Sequence, residues 1–325
     1  MGAADEDDRG RADYPAPGLW RVRAGETATD PAEQRRWLTF ALVGAGPTGV
    51  ELAGQIRELA TKTLRREFRH ITPQDARVLL FDGGKAPLAA FGSRLSAVAA
   101  RSLESLGVEL HMGSIVTAVG PQGIDVRGQD GAVTHYETGV VLWTAGVQAP
   151  PIASVVAMAT GAQQDRAGRI MVGDDLTIPG HPEISVVGDM SALRELPGVA
   201  EVAMQGGRYA GHRIRRSIGG EAPAGPFRYH DLGSAAYISR GRAVVEAGKL
   251  RLSGFPGWFV WLFIHIAFLT GYRNRVGAVL TWWLAFTRDS RRERAFTTRQ
   301  VGFVRDIYDR VQPAGPGKAG SARRS

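Results

Sequence analysis

Three glycines at a fixed spacing separate an apolar run from a helical pattern early in the chain. Gly44, Gly46 and Gly49, with Pro47 and Thr48 between them, form the segment GAGPTG, which follows LTFALV and precedes VELAG. The first glycine permits a sharp turn, the second lets the backbone approach a pyrophosphate, and the third lets the helix pack closely on the strand. The start of that helix also favours phosphate groups. This context predicts a dinucleotide-binding turn; a purely structural turn is the alternative.

An acidic residue ends the next apolar run, RVLLFD, which predicts a second parallel strand from Arg77 to Asp82. In dinucleotide-binding folds such a carboxylate bonds the adenosine ribose hydroxyls and repels a 2′-phosphate. Its distance from the glycines exceeds the usual spacing of about 20 residues, which a long helix and a turn at Pro73 account for. Asp82 therefore predicts NAD rather than NADP, and a plain strand-end cap is the alternative.

Two further apolar runs end in small residues. The run GVVLWT leads to Ala145-Gly146, where a flat ring or a second backbone could approach closely, although a simple turn explains the pattern equally well. The run ISVVGD, residues 184–189, predicts another strand that closes on Gly188-Asp189. Gln205 lies in the first turn of a helix predicted over 203–218. Its amide could face a ligand there, but by itself it is an ordinary residue for the start of a helix.

The bulk composition limits the chemistry. The 325 residues allow two domains, and the chain carries a formal net charge of +8 and no cysteine. Without cysteine there is no thiol nucleophile, redox disulfide or cysteine zinc site, and we predict no metal centre. The basic stretch ELATKTLRREFRHI is interpreted as a solvated helix face rather than a nucleic-acid site. The acidic N-terminus has no apolar segment that would indicate a secretory signal.

The elements around these motifs alternate between helix and strand. A helix is predicted from Ser93 to Leu106, followed by a third strand from Val108 to Met112. A small antiparallel meander is predicted next, with its last two strands joined around Asp130-Gly131. Its strands are expected at Val116–Val119, Gly123–Arg127 and Val133–Tyr136. Together with the glycine turn, this order predicts an α/β fold.

The last third of the chain is apolar and aromatic. The stretch from Gly254 to Tyr272 carries no Asp, Glu, Lys or Arg, and Val276 to Phe286 is a second apolar run. A membrane span needs about 20 apolar residues, so the first run is borderline and the second too short. Arginines surround both runs, at Arg273, Arg275, Arg288, Arg291, Arg292 and Arg294.

This combination favours helices that lie in a lipid interface, with the basic groups on anionic headgroups. A buried core or dimer helix and a true span are the alternatives. His265 is interpreted as a packed histidine rather than a metal or proton site.

Taken in order, these stretches resemble the type II, non-proton-pumping NADH:quinone oxidoreductases in their actinobacterial form. The matching segments run from about residue 29 to about residue 302 and are TDPAEQRRWLTFALVGAGPTGVELAG, WTAGV, IPGHPEISVVGDM, VAEVAMQGGRYAG and the Trp/Arg-rich tail. GAGPTGVELAG and VVGDM are shared by the wider superfamily of flavoproteins with two dinucleotide-binding domains, whereas AMQGG and the tail point to this family. The resemblance implies a Rossmann-like α/β fold that binds FAD and NADH, with amphipathic membrane-associated helices at its C-terminal end.

The resemblance also implies roles for single residues. The glycine turn and Asp82 would hold NADH, Glu51 would approach the nicotinamide and its ribose, and Ala145-Gly146 would flank the nicotinamide. Asp189 beside Gly188 would bond the ribityl chain of the flavin.

The segment VAEVAMQ, which contains Glu201, Ala203 and Gln205, would border the flavin ring and the quinone. The family usually shows A-Q-x-x-x-Q here, so Glu201 replaces the first glutamine, and a carboxylate at this place could alter quinone contact or proton delivery.

One expected part has no counterpart in the sequence. Family members begin with a strand–GxGxxG–helix unit that cradles the ADP part of FAD, and nothing in residues 1–36 resembles it. The predicted organisation is therefore a linker (1–36), an NADH-binding Rossmann domain (37–147), the remaining part of an FAD-binding domain (148–230), a membrane-associating region (231–311) and a disordered tail (312–325).

The function that the resemblance implies is hydride transfer from NADH to FAD, followed by transfer of two electrons to a membrane quinone of the respiratory chain. Such an enzyme pumps no protons and lies peripherally on the cytoplasmic face of the cell membrane; a homodimer is left open. Two alternatives remain at this point. One is a non-catalytic NAD-binding, membrane-associated protein that cannot hold FAD, and the other is a soluble FAD-dependent reductase with another acceptor.

Overall fold

The computed structural model describes residues 25–26, 28–64, 68–222, 225–269 and 271–288. The predicted linker up to residue 24 and the predicted tail from residue 312 lie outside these residues. The helices are α1 (Pro31–Trp37), α2 (Pro47–Glu58), α3 (Gly92–Ser105), α4 (Pro151–Thr160), α5 (Ala200–Ile218), α6 (Gly254–Phe268) and α7 (Tyr272–Arg288). The strands are β1 (Thr39–Val43), β2 (Arg77–Asp82), β3 (Val108–Met112), β4 (Ile115–Gly120), β5 (Gly123–Arg127), β6 (Val133–Glu137), β7 (Val140–Trp143), β8 (Ile170–Met171), β9 (Thr177–Ile178), β10 (His181–Ser185), β11 (Ser191–Ala192), β12 (Ser234–Ser239), β13 (Arg242–Ala247) and β14 (Leu250–Ser253).

The described residues form two compact units. Unit 1 contains residues 25–145 and 233–288, and unit 2 contains residues 146–232. Of the predicted membrane-associating region 231–311, residues 233–288 belong to unit 1 together with the glycine turn, and their association with a membrane stays a prediction.

A parallel sheet in the order β3-β2-β1-β7 organises unit 1. Its strand β1 is buried along its whole length. A strand that is covered on both faces has a nearly continuous apolar sequence, as TFALV does. The core of this unit includes Leu42, Val78 and Leu103. The three parallel strands predicted around the glycine turn, together with β7, are therefore confirmed.

Helix α1 begins with Asp30 as its N-cap, which accepts from the Ala32 N–H at 2.9 Å, and with Pro31 at the first helical position. Helix α2 is shorter than predicted. The sequence suggests a helix that continues almost to Pro73, but α2 ends at Glu58. A π-helical turn follows and closes with the Leu64 N–H donating to the Leu59 carbonyl at 2.9 Å.

The predicted meander is confirmed as the antiparallel strands β4, β5 and β6, with the last two joined through a turn at Gly131. Its inner residues Ile124 and Val126 pack on Leu79 and Phe81 of β2. The meander therefore covers the face of the parallel sheet opposite to the main core.

The strands β12, β13 and β14 form an antiparallel sheet that the sequence analysis did not predict. Gly54 of α2 lies against this sheet, since an added Cβ would come within 1.7 Å of the Ile238 carbonyl oxygen. Ala236, Ile238 and Val244 belong to the same core cluster as β1 and β2. A buried carboxylate, Glu58 of α2, also accepts from the Tyr237 hydroxyl at 2.9 Å.

The two apolar runs of the last third of the chain form helices α6 and α7. Arg275 of α7 donates to the Ala267 and Leu269 carbonyls, both at 2.9 Å, at the C-terminal end of α6. Among the described residues no helix combines the length and apolarity required to cross a bilayer.

Unit 2 differs in detail from its prediction. The run 184–189 was expected to be one strand, but β10 ends at Ser185 and a 3₁₀ turn occupies Gly188–Met190. The reason is local, because Gly188 adopts a φ of +70°, which an extended strand does not contain. Helix α4 was not predicted, and its Ala153 packs with Ile170 and Ile178.

Candidate functional site

The three glycines of the turn each meet a different steric environment. Gly44 has a φ of +106°, and an added Cβ would lie 2.8 Å from the Ala145 nitrogen. At Gly49 an added Cβ would lie 1.8 Å from the Gly44 oxygen, so the start of α2 packs directly on the turn. At Gly46 an added Cβ would meet nothing within 4 Å. The turn is therefore closed on the protein side and open at Gly46, where a pyrophosphate would approach.

The start of α2 is available for an anion. Gly46 is the N-cap residue and supplies no side-chain hydrogen bond to the helix, and Pro47 occupies the first position. The first-turn N–H groups of Thr48 and Gly49 have no partner further back in the helix. This geometry suits a phosphate group.

Asp82 lies beside this turn, as the sequence predicts for a ribose-binding acid. One carboxylate oxygen accepts from the Ala45 N–H and the other from the Gly84 N–H, both at 2.6 Å. Each carboxylate oxygen can accept a further hydrogen bond. The structure thus brings the acid and the glycine turn together at the carboxyl edge of the parallel sheet, the edge where α/β folds bind ligands.

The segment after β7 also contacts the turn. Ala145 packs against Gly44, and its carbonyl accepts from the Trp143 indole N–H at 2.8 Å. Gly146 has a φ of +75°, which favours glycine. Sequence reasoning missed Thr144, whose hydroxyl bonds to the turn itself and whose partner lies 100 residues away.

Glu51 lies on α2 and contacts the C-terminal part of unit 1. Its carboxylate accepts from the Tyr237 N–H at 3.0 Å. Burial raises the pKa of the Glu51 carboxyl, and Tyr237, His265 and Trp261 counter that rise. The Trp261 ring packs on Tyr237 at 4.9 Å and on His265 at 4.2 Å between centroids. His265 is therefore packed on an aromatic ring, and the proposed approach of Glu51 to the nicotinamide stays a prediction.

In unit 2, Glu201 and Gln205 lie one turn apart on α5 and both bind the segment that follows the helix. The Gln205 amide exchanges two hydrogen bonds with the His230 backbone, at 2.8 and 3.0 Å. The Glu201 carboxylate accepts from the Tyr229 hydroxyl at 3.2 Å and from the Leu232 N–H at 3.3 Å. Burial and the Glu201 charge raise the pKa of Tyr229 to about 12. These contacts position the segment; contact with a quinone stays a prediction for both side chains.

The Gly188-Asp189 turn of unit 2 packs closely on α5. An added Cβ at Gly188 would lie 3.3 Å from the Ala203 Cβ, which is a tight contact between the turn and α5. Asp189 lines a small cavity at this turn. Gly188, Asp189 and Ala203, which are predicted to border the flavin, are therefore close together within unit 2, and their contact with FAD stays a prediction. Among the described residues, the only strand–GxGxxG–helix unit is the one at Gly44–Gly49.

A larger cavity of about 610 Å³ lies elsewhere in unit 1. It is lined by α1 and by the first residues of β1 and β2, including Thr39 and Arg77. This is the amino edge of the parallel sheet, opposite to the glycine turn. Open α/β sheets bind their ligands at the carboxyl edge, so we assign no dinucleotide to this cavity.

Comparison with known proteins adds the family. The model of the pyridine nucleotide-disulphide oxidoreductase family matches residues 12–207. The type II NADH:quinone oxidoreductase NdhA of Mycobacterium tuberculosis is 44% identical over 287 residues, covering 87% of this chain and 61% of the relative. The type II NADH:quinone oxidoreductase Ndh of the same organism is 42% identical over 299 residues, covering 91% of this chain and 64% of the relative. The chain thus spans about three fifths of the length of these curated relatives.

Among solved structures, NDH2 from Plasmodium falciparum in complex with NADH matches with a TM-score of 0.74 and 15% identity. The match covers 83% of this chain and 70% of that chain. At this identity the likeness shows the fold, and it confirms the predicted α/β fold class.

Proposed function

We propose that this chain, which belongs to the pyridine nucleotide-disulphide oxidoreductase family, acts as a type II NADH:quinone oxidoreductase that pumps no protons, as its similarity to the two mycobacterial enzymes indicates. The observation that carries this proposal is the meeting of the open glycine turn and Asp82 at one edge of the parallel sheet. In this proposal NADH binds there, with its pyrophosphate at the start of α2 and its adenosine ribose on Asp82.

NAD specificity follows from the charge of Asp82. Two backbone N–H groups donate hydrogen bonds to this carboxylate, which fixes it beside the turn without neutralising its charge. A 2′-phosphate at this place would meet a negative charge at short range, whereas two ribose hydroxyls would donate to it.

FAD is the cofactor in this proposal, and when bound it supplies the two-electron redox chemistry between NADH and the acceptor. Gly188, Asp189 and Ala203 are the residues that would hold its ribityl and ring side. The close approach of Gly188 to Ala203 of α5, beside the cavity that Asp189 lines, supports this role. Glu201 and Gln205, one turn apart on the same helix, would border the quinone.

A lipid surface is the proposed partner of α6. Phe255, Phe259 and Phe263 follow one another at four-residue intervals, and each exposes 60–68% of its surface. Aromatic side chains at helical spacing next to Arg273 and Arg275 suit the interface of an anionic membrane. A quinone would reach the protein from this side, with the protein held peripherally on the cytoplasmic face.

The proposal is tested with the 325-residue chain purified in detergent. We expect a visible flavin band that bleaches on addition of NADH and returns on addition of a soluble quinone. Asp82→Asn is the matched control, because it removes the charge but keeps the shape, and it should bleach more slowly with NADH than the wild type at equal flavin content. A colourless protein that binds NADH would contradict the FAD step and leave dinucleotide binding alone. Failure to bind NADH at all would contradict the whole proposal.

A further inference from the structure

A single hydroxyl joins the end of β7 to the glycine turn. The Thr144 Oγ1 lies 2.8 Å from the Val43 carbonyl oxygen and 3.0 Å from the Gly44 carbonyl oxygen. The Thr144 N–H also donates to the Val43 carbonyl at 2.8 Å. A threonine hydroxyl has one hydrogen, so it donates a bond shared between these two carbonyls.

The peptide between Gly44 and Ala45 is held from its other side as well. Its N–H, on Ala45, donates to Asp82 at 2.6 Å. The C=O and N–H of one trans peptide point in opposite directions across a rigid plane. Thr144 and Asp82 therefore fix the two ends of the same peptide plane, and neither bond survives a rotation of that plane.

The orientation of this peptide sets the geometry of the nucleotide side of the turn. The Gly44 oxygen is the atom against which Gly49 packs, since an added Cβ there would lie 1.8 Å from it. The start of α2 consequently depends on where that oxygen points. Gly46, the open position of the turn, lies between Gly44 and Gly49 in the chain.

We propose that Thr144 is a positioning residue of the dinucleotide site. Its hydroxyl fixes the Gly44–Ala45 peptide, and through it Asp82 and the start of α2, in the arrangement that a dinucleotide requires before binding. Preorganisation of this kind increases affinity because less order has to be imposed on binding. This inference rests on the proposed binding of NADH. It adds to that site a residue that acts through the Gly44–Ala45 peptide and not by touching the ligand.

The chain contains a matched control at the other end of the same strand. Thr138 precedes β7, is buried, and places its hydroxyl 2.6 Å from the Thr39 carbonyl and 2.9 Å from the Val140 carbonyl. Both hydroxyls thus donate to a carbonyl of β1, Thr144 to Val43 and Thr138 to Thr39, but Thr138 lies at the amino edge of the sheet. Loss of the Thr144 hydroxyl removes this donor from the Gly44 carbonyl, and loss of the Thr138 hydroxyl removes one from the Thr39 carbonyl.

The test compares Thr144→Val, Thr144→Ser and Thr138→Val with the wild-type chain. Dissociation constants for NADH and NAD⁺ are measured by titration calorimetry, and melting temperatures by calorimetry of the same samples. We expect the dissociation constant of Thr144→Val to rise about tenfold, the equivalent of about 1.4 kcal/mol. Thr144→Ser keeps the hydroxyl and should stay within about threefold of the wild type. Thr138→Val should melt at a lower temperature with unchanged affinity.

Two results would overturn the inference while leaving the proposed function intact. One is wild-type affinity in Thr144→Val, and the other is an equal loss of affinity in Thr144→Val and Thr138→Val, which would show a general effect of stability. If Thr144→Val does not fold, the comparison passes to Thr144→Ala against Thr144→Ser, both of which remove volume and of which only the second keeps the hydroxyl. A wild-type chain that binds neither nucleotide would instead overturn the proposed function, and this inference with it.

Discussion

At the scale of single residues, Gly46 and Gly49 separate binding from folding. We expect Gly46→Ala to keep the fold, because its new Cβ enters open space, with a capping cost of about 1 kcal/mol or less. The same Cβ would occupy the side from which a pyrophosphate approaches, so NADH affinity should fall at least tenfold. Gly49→Ala should lose both stability and affinity, since its Cβ would overlap the Gly44 oxygen.

Thermal melting and NADH titration of the two variants check this prediction. A Gly46→Ala protein that binds NADH as well as the wild type would place the pyrophosphate elsewhere. A Gly49→Ala protein with unchanged melting temperature would show that α2 is not in close contact with the turn.

Glu51 gives the protein a pH-dependent stability. Burial raises the pKa of its carboxyl above the unfolded value of about 4.5, so the folded state prefers the protonated form. The contribution of Glu51 to stability therefore falls as pH rises from the unfolded value through the folded pKa, and it is constant above that window. Glu51→Gln lacks this loss and keeps an acceptor for the Tyr237 N–H. Its melting temperature relative to the wild type should increase with pH across the window.

A second carboxyl provides a control of opposite sign. The hydrogen bond from Arg77 lowers the pKa of Glu109, so this group stabilises the folded state above the unfolded pKa and loses that effect as pH falls. Glu109→Gln should be less stable than the wild type at neutral pH, and the difference should shrink as pH falls below the unfolded pKa of about 4.5 and disappear below the folded pKa. A fall with pH in the relative stability of Glu51→Gln would contradict the first assignment, and a rise with pH in that of Glu109→Gln would contradict the second.

Residues in local patterns could be predicted, and residues with distant partners could not. The role of the glycines can be predicted because a strand, a turn and a helix follow one another directly in the sequence. The place of Asp82 can be predicted because parallel strands bring their carboxyl ends to one edge of the sheet. Thr144 is an ordinary residue in WTAG until Gly44 is placed against it. In the same way, nothing near Glu201 in the sequence indicates that it accepts from Tyr229.

At the scale of elements, α6 exposes the side chains with which it would enter a membrane. We predict that replacing Phe255, Phe259 and Phe263 together with Ser releases the protein from vesicles that contain anionic lipid, because membrane affinity follows the apolar surface that is buried. Trp261 is a poor choice for the same test, since it packs on Tyr237 within the fold. The measurement is sedimentation with vesicles of phosphatidylcholine and phosphatidylglycerol.

The meander offers a matched control for this triple variant. Ile115, Val119 and Val133 on β4 and β6 are exposed to a similar degree, and their replacement with Ser should leave sedimentation unchanged. Equal sedimentation of the α6 variant and the wild type would contradict the proposed membrane contact of this helix.

Helices and strands whose apolar residues recur with a clear helical or strand spacing could be predicted, and short strands without such a pattern could not. The amphipathic helix α3 and the buried strands β1 and β2 follow directly from their patterns. The strands β12 to β14 have four to six residues each and are stabilised by contact with α2, notably at Gly54. A sequence read in one dimension does not show that contact, and it therefore left this sheet out.

At the scale of the whole molecule, the chain builds one unit from two separated segments. Residues from β1, β2 and α3 share a core cluster with Ala236, Ile238 and Val244, which come from the far side of unit 2 in the chain. The boundaries of unit 2, at 146 and 232, lie close to those that the sequence suggests for the FAD-related part. What the sequence does not show is that the C-terminal segment completes the core around the glycine turn.

Unit 1 should therefore bind NADH without unit 2. The glycine turn, Asp82 and Thr144 all lie in residues 25–145, and the core that supports them closes with residues 233–288. Replacing 146–232 with a flexible Gly/Ser linker of about 30 residues, whose r.m.s. end-to-end distance is about 30 Å, leaves this core complete. We expect a folded protein whose dissociation constant for NADH stays within about threefold of the full chain, measured by titration calorimetry. Gly49→Ala in the shortened protein is the control and should abolish binding. A folded but non-binding product would show that unit 2 contributes to the NADH site, and an unfolded one would show that the core of unit 1 is not sufficient by itself.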